Sequence, residues 1–132
     1  VIHRGGCACG GVRFVVYGDL APVGACHCES CRRWSGYYWA AMEIPRRRFK
    51  LTVAGALVWW RSSAAAARGF CSRCGSSLLF DETNSPWIEI SPGAFDEPTG
   101  ETTTAHIFCA EAGDYYRLDD GAPRYPGFEP RG

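Results

Sequence analysis

The chain has 132 residues, 46% hydrophobic and 21% charged, which fits one compact domain and excludes wholesale disorder. Its 14 basic and 14 acidic side chains cancel, so no net field draws it to nucleic acid or an anionic membrane surface, and neither partner is expected. No apolar run approaches the roughly 18 residues of a membrane-spanning helix.

The first residues, Val1-Ile2-His3-Arg4-Gly5-Gly6, lack the apolar core and cleavage site of a signal peptide. They also lack a Met, which leaves room for residues upstream. Then comes the first of three cysteine groups, Cys7-Ala8-Cys9-Gly10-Gly11. The others are Cys26-His27-Cys28-Glu29-Ser30-Cys31 and Cys71-Ser72-Arg73-Cys74-Gly75, with Cys109 alone. Eight cysteines in a chain with 18 aromatic residues to fill a core read as metal ligands of a reducing, cytoplasmic setting rather than as a disulfide scaffold.

Strands are predicted over 12–17, 37–44, 49–53, 57–61, 78–80, 87–91 and 105–108. These runs are short, β-branched or aromatic, and bounded by Gly, Pro, Asp and Asn. Phe49-Lys50-Leu51-Thr52-Val53 and Trp87-Ile88-Glu89-Ile90 alternate as half-buried strands do. One helical turn is expected within 29–34, bringing Cys28 and Cys31 together at i, i+3. Ala64–Ala67 is too short to hold a helix alone. Arg46-Arg47-Arg48 reads as a solvated turn, and Trp59-Trp60 as one core and one exposed ring. From Pro123 to the end, Pro, Gly and Arg predict a loose tail, 123–132, on an all-β single domain, 1–132.

Spacing divides the cysteines by task. Pairs one or two residues apart hold one ion more readily than they bond to each other, and a tetrahedral zinc takes four such ligands. Cys9 and Cys74 are each followed by Gly, as suits a sharp turn that aims backbone N–H groups at sulfur. Cys7, Cys9, Cys71 and Cys74 therefore read as one closed structural site. Cys26, Cys28 and Cys31 read as a three-ligand site with its fourth position open, the usual catalytic arrangement. The alternative is a second closed site completed by His27, His106 or Cys109. His27 lies between two ligands, where coordination would be strained. His106 and Cys109 are expected to face opposite ways from one strand. Arg32 and Arg33, beside this site, could hold a substrate carboxylate. Seven thiolates with two dications would leave the loaded protein mildly acidic.

These motifs, continued through Arg32-Arg33-Trp34-Ser35-Gly36, Gly69-Phe70 and His106-Ile107-Phe108, resemble the glutathione-dependent formaldehyde-activating enzyme family, the CENP-V/GFA domain. The resemblance runs from Cys7 to Phe128. It implies a small zinc-stabilised β-tent of the Mss4-like kind with two Zn2+ per chain. The structural zinc falls on Cys7, Cys9, Cys71 and Cys74, and the catalytic zinc on Cys26, Cys28 and Cys31. Cys109 has no metal role in the pattern, as fits a buried small hydrophobe.

The resemblance also implies a carbon–sulfur lyase that condenses formaldehyde, or another small carbonyl, with a thiol such as glutathione to give S-(hydroxymethyl)glutathione. Its proton-transfer candidates are His27, Glu29 and His106. The competing class is a non-catalytic thiol-binding or interaction module, since eukaryotic relatives are linked to chromosome and microtubule organisation. A basic tail would favour that class, and this chain has none. Thirteen Arg against one Lys suggest a high-GC bacterial source.

Overall fold

The computed structural model describes residues 1–130. The all-β expectation holds: among the described residues ten strands accompany one short helix and three single 3-10 turns. In chain order these are β1 (Ile2–Gly6), β2 (Arg13–Tyr17), β3 (Val23–Cys26), α1 (Glu29–Ser35), β4 (Trp39–Pro45) and β5 (Phe49–Val53). Then follow β6 (Leu57–Arg61), β7 (Ala66–Cys71), β8 (Ser77–Glu82), β9 (Trp87–Ile90) and β10 (Thr103–Ile107). No helix among the described residues is long and apolar enough to cross a membrane.

The chain forms two compact units, and it passes from one to the other within β4. The first comprises Val1–Ala21 and Met42–Gly100. In it β1, β2 and β5 make an antiparallel sheet in the order β1-β2-β5, and residues 42–45 of β4 begin an antiparallel run β4-β9-β8-β7-β6. Alternation decides which side chains go inside: Phe14 and Val16 are buried from β2, Ile88 and Ile90 from β9. Met42, Ile44, Leu78 and Leu79 are buried too, each contributing roughly 1.5–3 kcal/mol.

Gly5 in β1 pairs with Phe14 and bridges to Phe95. A Cβ there would stand 2.5 Å from the Ala94 carbonyl oxygen and 2.6 Å from the Phe14 ring. Neither a backbone carbonyl nor a core ring yields cheaply. Gly5→Ala is therefore expected to cost about 1–3 kcal/mol, read as a lower denaturant midpoint at unchanged slope.

Two local expectations change in this unit. Arg46–Arg48 form a 3-10 turn, but two of the three arginines clamp the fold instead of standing in solvent. Arg46 pairs with Asp81 and donates to the Ser85 and Glu82 carbonyls, while Arg48 donates to those of Tyr17 and Asp19. Trp59 and Trp60 are both exposed, at 40% and 51%, because β6 ends its strand run. Trp59 lies against Gly69, whose missing side chain leaves it room.

The second unit comprises Pro22–Ala41 and the chain from Glu101. β10 runs parallel to β3, pairing Ile107 with Cys26, and β3 runs antiparallel to the start of β4, pairing Cys26 with Trp39. The expected loose tail is tied down where it is described. His106 N–H donates to the Pro123 carbonyl, Tyr125 N–H to His106, Cys109 N–H to Tyr125 and Phe108 N–H to Gly127, each at 2.9 Å. Phe128 packs edge-on against Phe108 with ring centres 4.7 Å apart. Only the prolines lack an N–H here, their carbonyls still accept, and β10 offered a partner edge. The last two residues of the expected tail lie outside the described residues.

Candidate metal centres

The first unit brings Cys7, Cys9, Cys71 and Cys74 together, with all four Sγ atoms within 4.8 Å of one another. Cys7 directly follows β1 and Cys71 ends β7; Cys9 and Cys74 sit in the turns beyond. The Cys7–Cys9 and Cys9–Cys71 sulfurs are 3.7 Å apart. Metal–sulfur bonds near 2.3 Å in a tetrahedron would put them about 3.8 Å apart. Gly10 and Gly75 take φ of 82° and 78°, the left-handed turn that the sequence led us to expect after each second cysteine.

Those turns aim backbone N–H groups at sulfur. Val12 donates to Cys7 at 3.2 Å, Gly11 to Cys9 at 3.4 Å and Arg73 to Cys71 at 3.4 Å. Ser76 Oγ accepts from Ala8 N–H at 3.1 Å and stands 3.2 Å from Cys74 Sγ, placed to donate to it. The Ser76 hydroxyl and amide pull the Cys74 thiol down to about 5. The Gly11 amide favours the Cys9 thiolate, yet Cys71, burial and the other thiols outweigh it and push Cys9 up to about 11. Four crowded thiols cannot all ionise on their own. The donor set fits a dication.

The second unit brings Cys26, Cys28 and Cys31 together, their Sγ atoms also within 4.8 Å. Cys26 ends β3, Cys28 caps α1 and Cys31 lies in its first turn. The cap is functional geometry: Cys31 N–H donates to Cys28 Sγ at 3.4 Å. The helix runs longer than the expected turn, through Ser35, and Gly36 N–H closes it on the Arg32 carbonyl. Cys31 first, then burial, pushes the Cys26 thiol up, and burial first pushes up Cys28. This triad too resists ionising without a cation.

None of the three candidates for a fourth ligand joins the sulfur group among the described residues, and both histidines are held elsewhere. His27 is fully buried, with Nδ1 2.7 Å from Tyr116 Oη and Nε2 2.9 Å from His106 Nδ1. His106 is buried as well, with Nε2 2.9 Å from Asp120 Oδ2. Both nitrogens of both rings are thus engaged. Cys109 lies in a 3-10 turn beyond β10, not on a strand with His106, and it is half-buried instead of being a core thiol. Burial chiefly, and then His106, lowers the His27 pKa to about 4.

Around α1, Arg33 pairs with Glu29 at 2.9 Å, and Arg32 Nε–H donates to the Glu111 carbonyl at 3.0 Å. Glu111 in turn accepts from the Glu29 N–H at 3.1 Å. Tyr37, Tyr38, Tyr115 and Tyr116 stack beside His27 with ring centres 4.9–5.6 Å apart where they neighbour one another. Sequence reasoning missed Tyr116 and Asp120. They sit in a Gly- and Asp-rich stretch without a motif, and only the return of the chain beside β10 reveals them.

The family model described as glutathione-dependent formaldehyde-activating enzyme matches residues 2–111. A Schizosaccharomyces pombe protein named an uncharacterized lyase is 28% identical over 82 residues, 62% of this chain and 59% of that protein. A Halomonas elongata protein named after glutathione-dependent formaldehyde-activating enzyme is 35% identical over 90 residues, 61% of this chain and 57% of that protein. The chain thus spans less than two thirds of the length of both relatives. The crystal structure of a Rhodobacter sphaeroides protein shares the fold, with a TM-score of 0.59 at 18% identity, covering 76% of this chain and 99% of that one.

Proposed function

The chain belongs to the glutathione-dependent formaldehyde-activating enzyme family, and we propose that it is a zinc-dependent carbon–sulfur lyase that joins a thiol such as glutathione to formaldehyde. In this reading Cys7, Cys9, Cys71 and Cys74 hold a structural zinc, and Cys26, Cys28 and Cys31 hold a second at which the thiol enters. The observation that carries it is the three-sulfur group itself: among the described residues no fourth ligand joins it, and both nitrogens of His27 and of His106 are engaged. A lyase-type activity also fits the names of both relatives.

Cys26, Cys28 and Cys31 would hold the zinc, which would supply Lewis acidity and favour the thiolate form of a thiol bound there. The rest falls to the chain. The β3–α1 corner fixes the three sulfurs, and Arg32, anchored on Glu111, sets a positive charge one residue beyond Cys31 for a substrate carboxylate. Two reactants held side by side gain the entropic advantage of an intramolecular step. Free thiolate ligands suit the reducing cytoplasm, where we place the protein.

The test is cobalt substitution with a glutathione titration, following the visible absorption of the thiolate sites. Two cobalts per chain, with one site's spectrum changing saturably and formaldehyde then consumed, is the expected result. Two cobalts without a response would remove glutathione. One cobalt or none would overturn the division of the cysteines.

A further inference from the structure

Among the described residues four strands end the sheets, and three of them are protected against a further strand. β1 is bridged at Gly5 by Phe95, and its Arg4 carbonyl accepts the Asp96 N–H. β10 is covered by the returning chain, where Arg124 bridges to His106 and Tyr125 N–H donates to the His106 carbonyl. β5 carries the exposed Lys50, and its ladder with β2 shifts register between Arg13 and Phe14. An edge lysine and a bulge both discourage pairing. β6 has none of these devices. All five of its residues pair with β7 without a shift, and its outer edge takes no strand among the described residues. Its sequence, Leu57-Val58-Trp59-Trp60-Arg61, has no Pro or Lys, and Val58, Trp59 and Trp60 are 42%, 40% and 51% exposed.

The bonding parity of this edge follows from its ends. Ser72 N–H donates to the Ala56 carbonyl at 2.7 Å and Ser62 N–H to the Ala66 carbonyl at 3.1 Å. The even residues of β6 therefore turn their backbone groups to β7, and Leu57, Trp59 and Arg61 turn theirs outward. The Leu57 N–H is taken by the Ala54 carbonyl at 3.1 Å. Two outward donors remain, on Trp59 and Arg61, with the three outward carbonyls. A second copy of β6, antiparallel and centred on Trp59, matches that set. Trp59 exchanges both bonds with the second copy's Trp59, and Arg61 N–H donates to the second copy's Leu57 carbonyl in each direction. No outward N–H is then left without an acceptor.

The side chains match in the same register. Val58 faces the second copy's Trp60, twice by symmetry, at the closer spacing of a non-hydrogen-bonded pair. The Trp59 ring leans over Gly69, where a Cβ would stand 3.1 Å from it, and so leaves the backbone edge open at the two-fold axis. The two Arg61 side chains fall four residues apart along the ladder, about 14 Å and beyond a Debye length.

We propose that β6 is a dimer interface, pairing across a two-fold axis with β6 of a second copy of this chain. The self-matching donors, acceptors and apolar side chains name that occupant, and the proposal is independent of the chemistry at the cysteines. The exposed parts of the two indoles amount to about one ring, roughly 150–250 Å2 per copy. With five residues of backbone the contact stays below the ~800 Å2 per partner of a standard interface, so the dimer forms at micromolar or higher concentrations.

Sedimentation equilibrium on the zinc-loaded protein, from about 1 µM to about 1 mM, should show monomer passing to dimer. Amide exchange reads the register. The Trp59 and Arg61 N–H groups should slow about tenfold or more from the dilute to the concentrated end, while Val58 and Trp60, bonded to β7, are protected at both. Arg61→Pro removes an outward donor without touching a bond to β7 and should stay monomeric, with parental metal content and a dispersed amide spectrum. Arg61→Ala keeps the N–H and should still dimerise. Trp59→Lys, which sets like charges face to face at the two-fold axis, should be monomeric as well. A dimer that Arg61→Pro and Trp59→Lys both leave intact would overturn the proposal. A monomer throughout would also overturn it and leave the edge to a strand of another protein.

Discussion

Replacing Cys71 by alanine is expected to leave the unit of residues 1–21 and 42–100 unfolded, not merely weakened. Cys71 is fully buried at the end of β7, and its sulfur lies 3.7 Å from that of Cys9, which precedes it by 62 residues. The four-cysteine group therefore ties two distant parts of the chain, one following β1 and the other ending β7. Cys9 and Cys74 are exposed turn residues whose local bonds run to their own knuckles and to Ser76. Structural zinc in comparable sulfur sites contributes roughly 10–16 kcal/mol. A domain of this size retains only about 5–15 kcal/mol in total. Losing one thiolate also leaves three others crowded without a matching cation. The expected readouts are metal content below two per chain, loss of dispersed amide signals from this unit and aggregation on expression. A folded Cys71→Ala protein binding two metals would show that this group is not a structural centre. Strong chelation of the unsubstituted protein should give the same unfolding.

This site was legible in the sequence because its information is local. Two cysteine pairs, each followed by Gly, specify the ligand types, their spacing and the φ > 0 turn in consecutive residues, and Gly10 and Gly75 adopt it. The alternating strands β2, β5 and β9 were legible for the same reason. β1, β3 and β7 were not, because Gly5-Gly6, Val23-Gly24-Ala25 and Ala66-Ala67 have little intrinsic β preference and become strands through their neighbours. The buried histidine pair with its Tyr116 and Asp120 partners was hidden for a stronger version of that reason. His27 and His106 lie 79 residues apart, and His27 and Tyr116 lie 89 apart. A lone His between two cysteines reads as a strained ligand at best, and only the fold shows what engages both of its nitrogens. Likewise Pro123 to Phe128 read as a tail by composition, while the parallel approach to β10 is set by tertiary packing alone.

Cys28→Ser separates fold from function at the other centre. Cys28 has two tasks: its sulfur is one of the three that converge, and it caps α1 by accepting from Cys31 N–H at 3.4 Å. Serine is among the preferred residues for the second task, worth about 1 kcal/mol over alanine, but a neutral hydroxyl is a poor replacement for a thiolate ligand. The helix should therefore persist. The surrounding unit is held by the β10–β3–β4 ladder and by the His27–His106–Asp120 bonds, none of which passes through Cys28 sulfur. Metal content should fall from two to one, and the amide spectrum should stay dispersed. Thiol–formaldehyde condensation should drop by more than ~100-fold, beyond the effect of losing an outer partner of a metal ligand. A Cys28→Ala protein should lose the same activity and in addition show a destabilised α1, because it lacks the cap. If Cys28→Ser unfolds the chain as Cys71→Ala does, the triad is a second structural centre and the open position has no role. If it retains both metal and rate, the reacting group lies elsewhere. The contrast between the two cysteine substitutions, one removing the fold and the other only the chemistry, follows from four sulfurs tying distant segments and three sulfurs drawn from one six-residue corner.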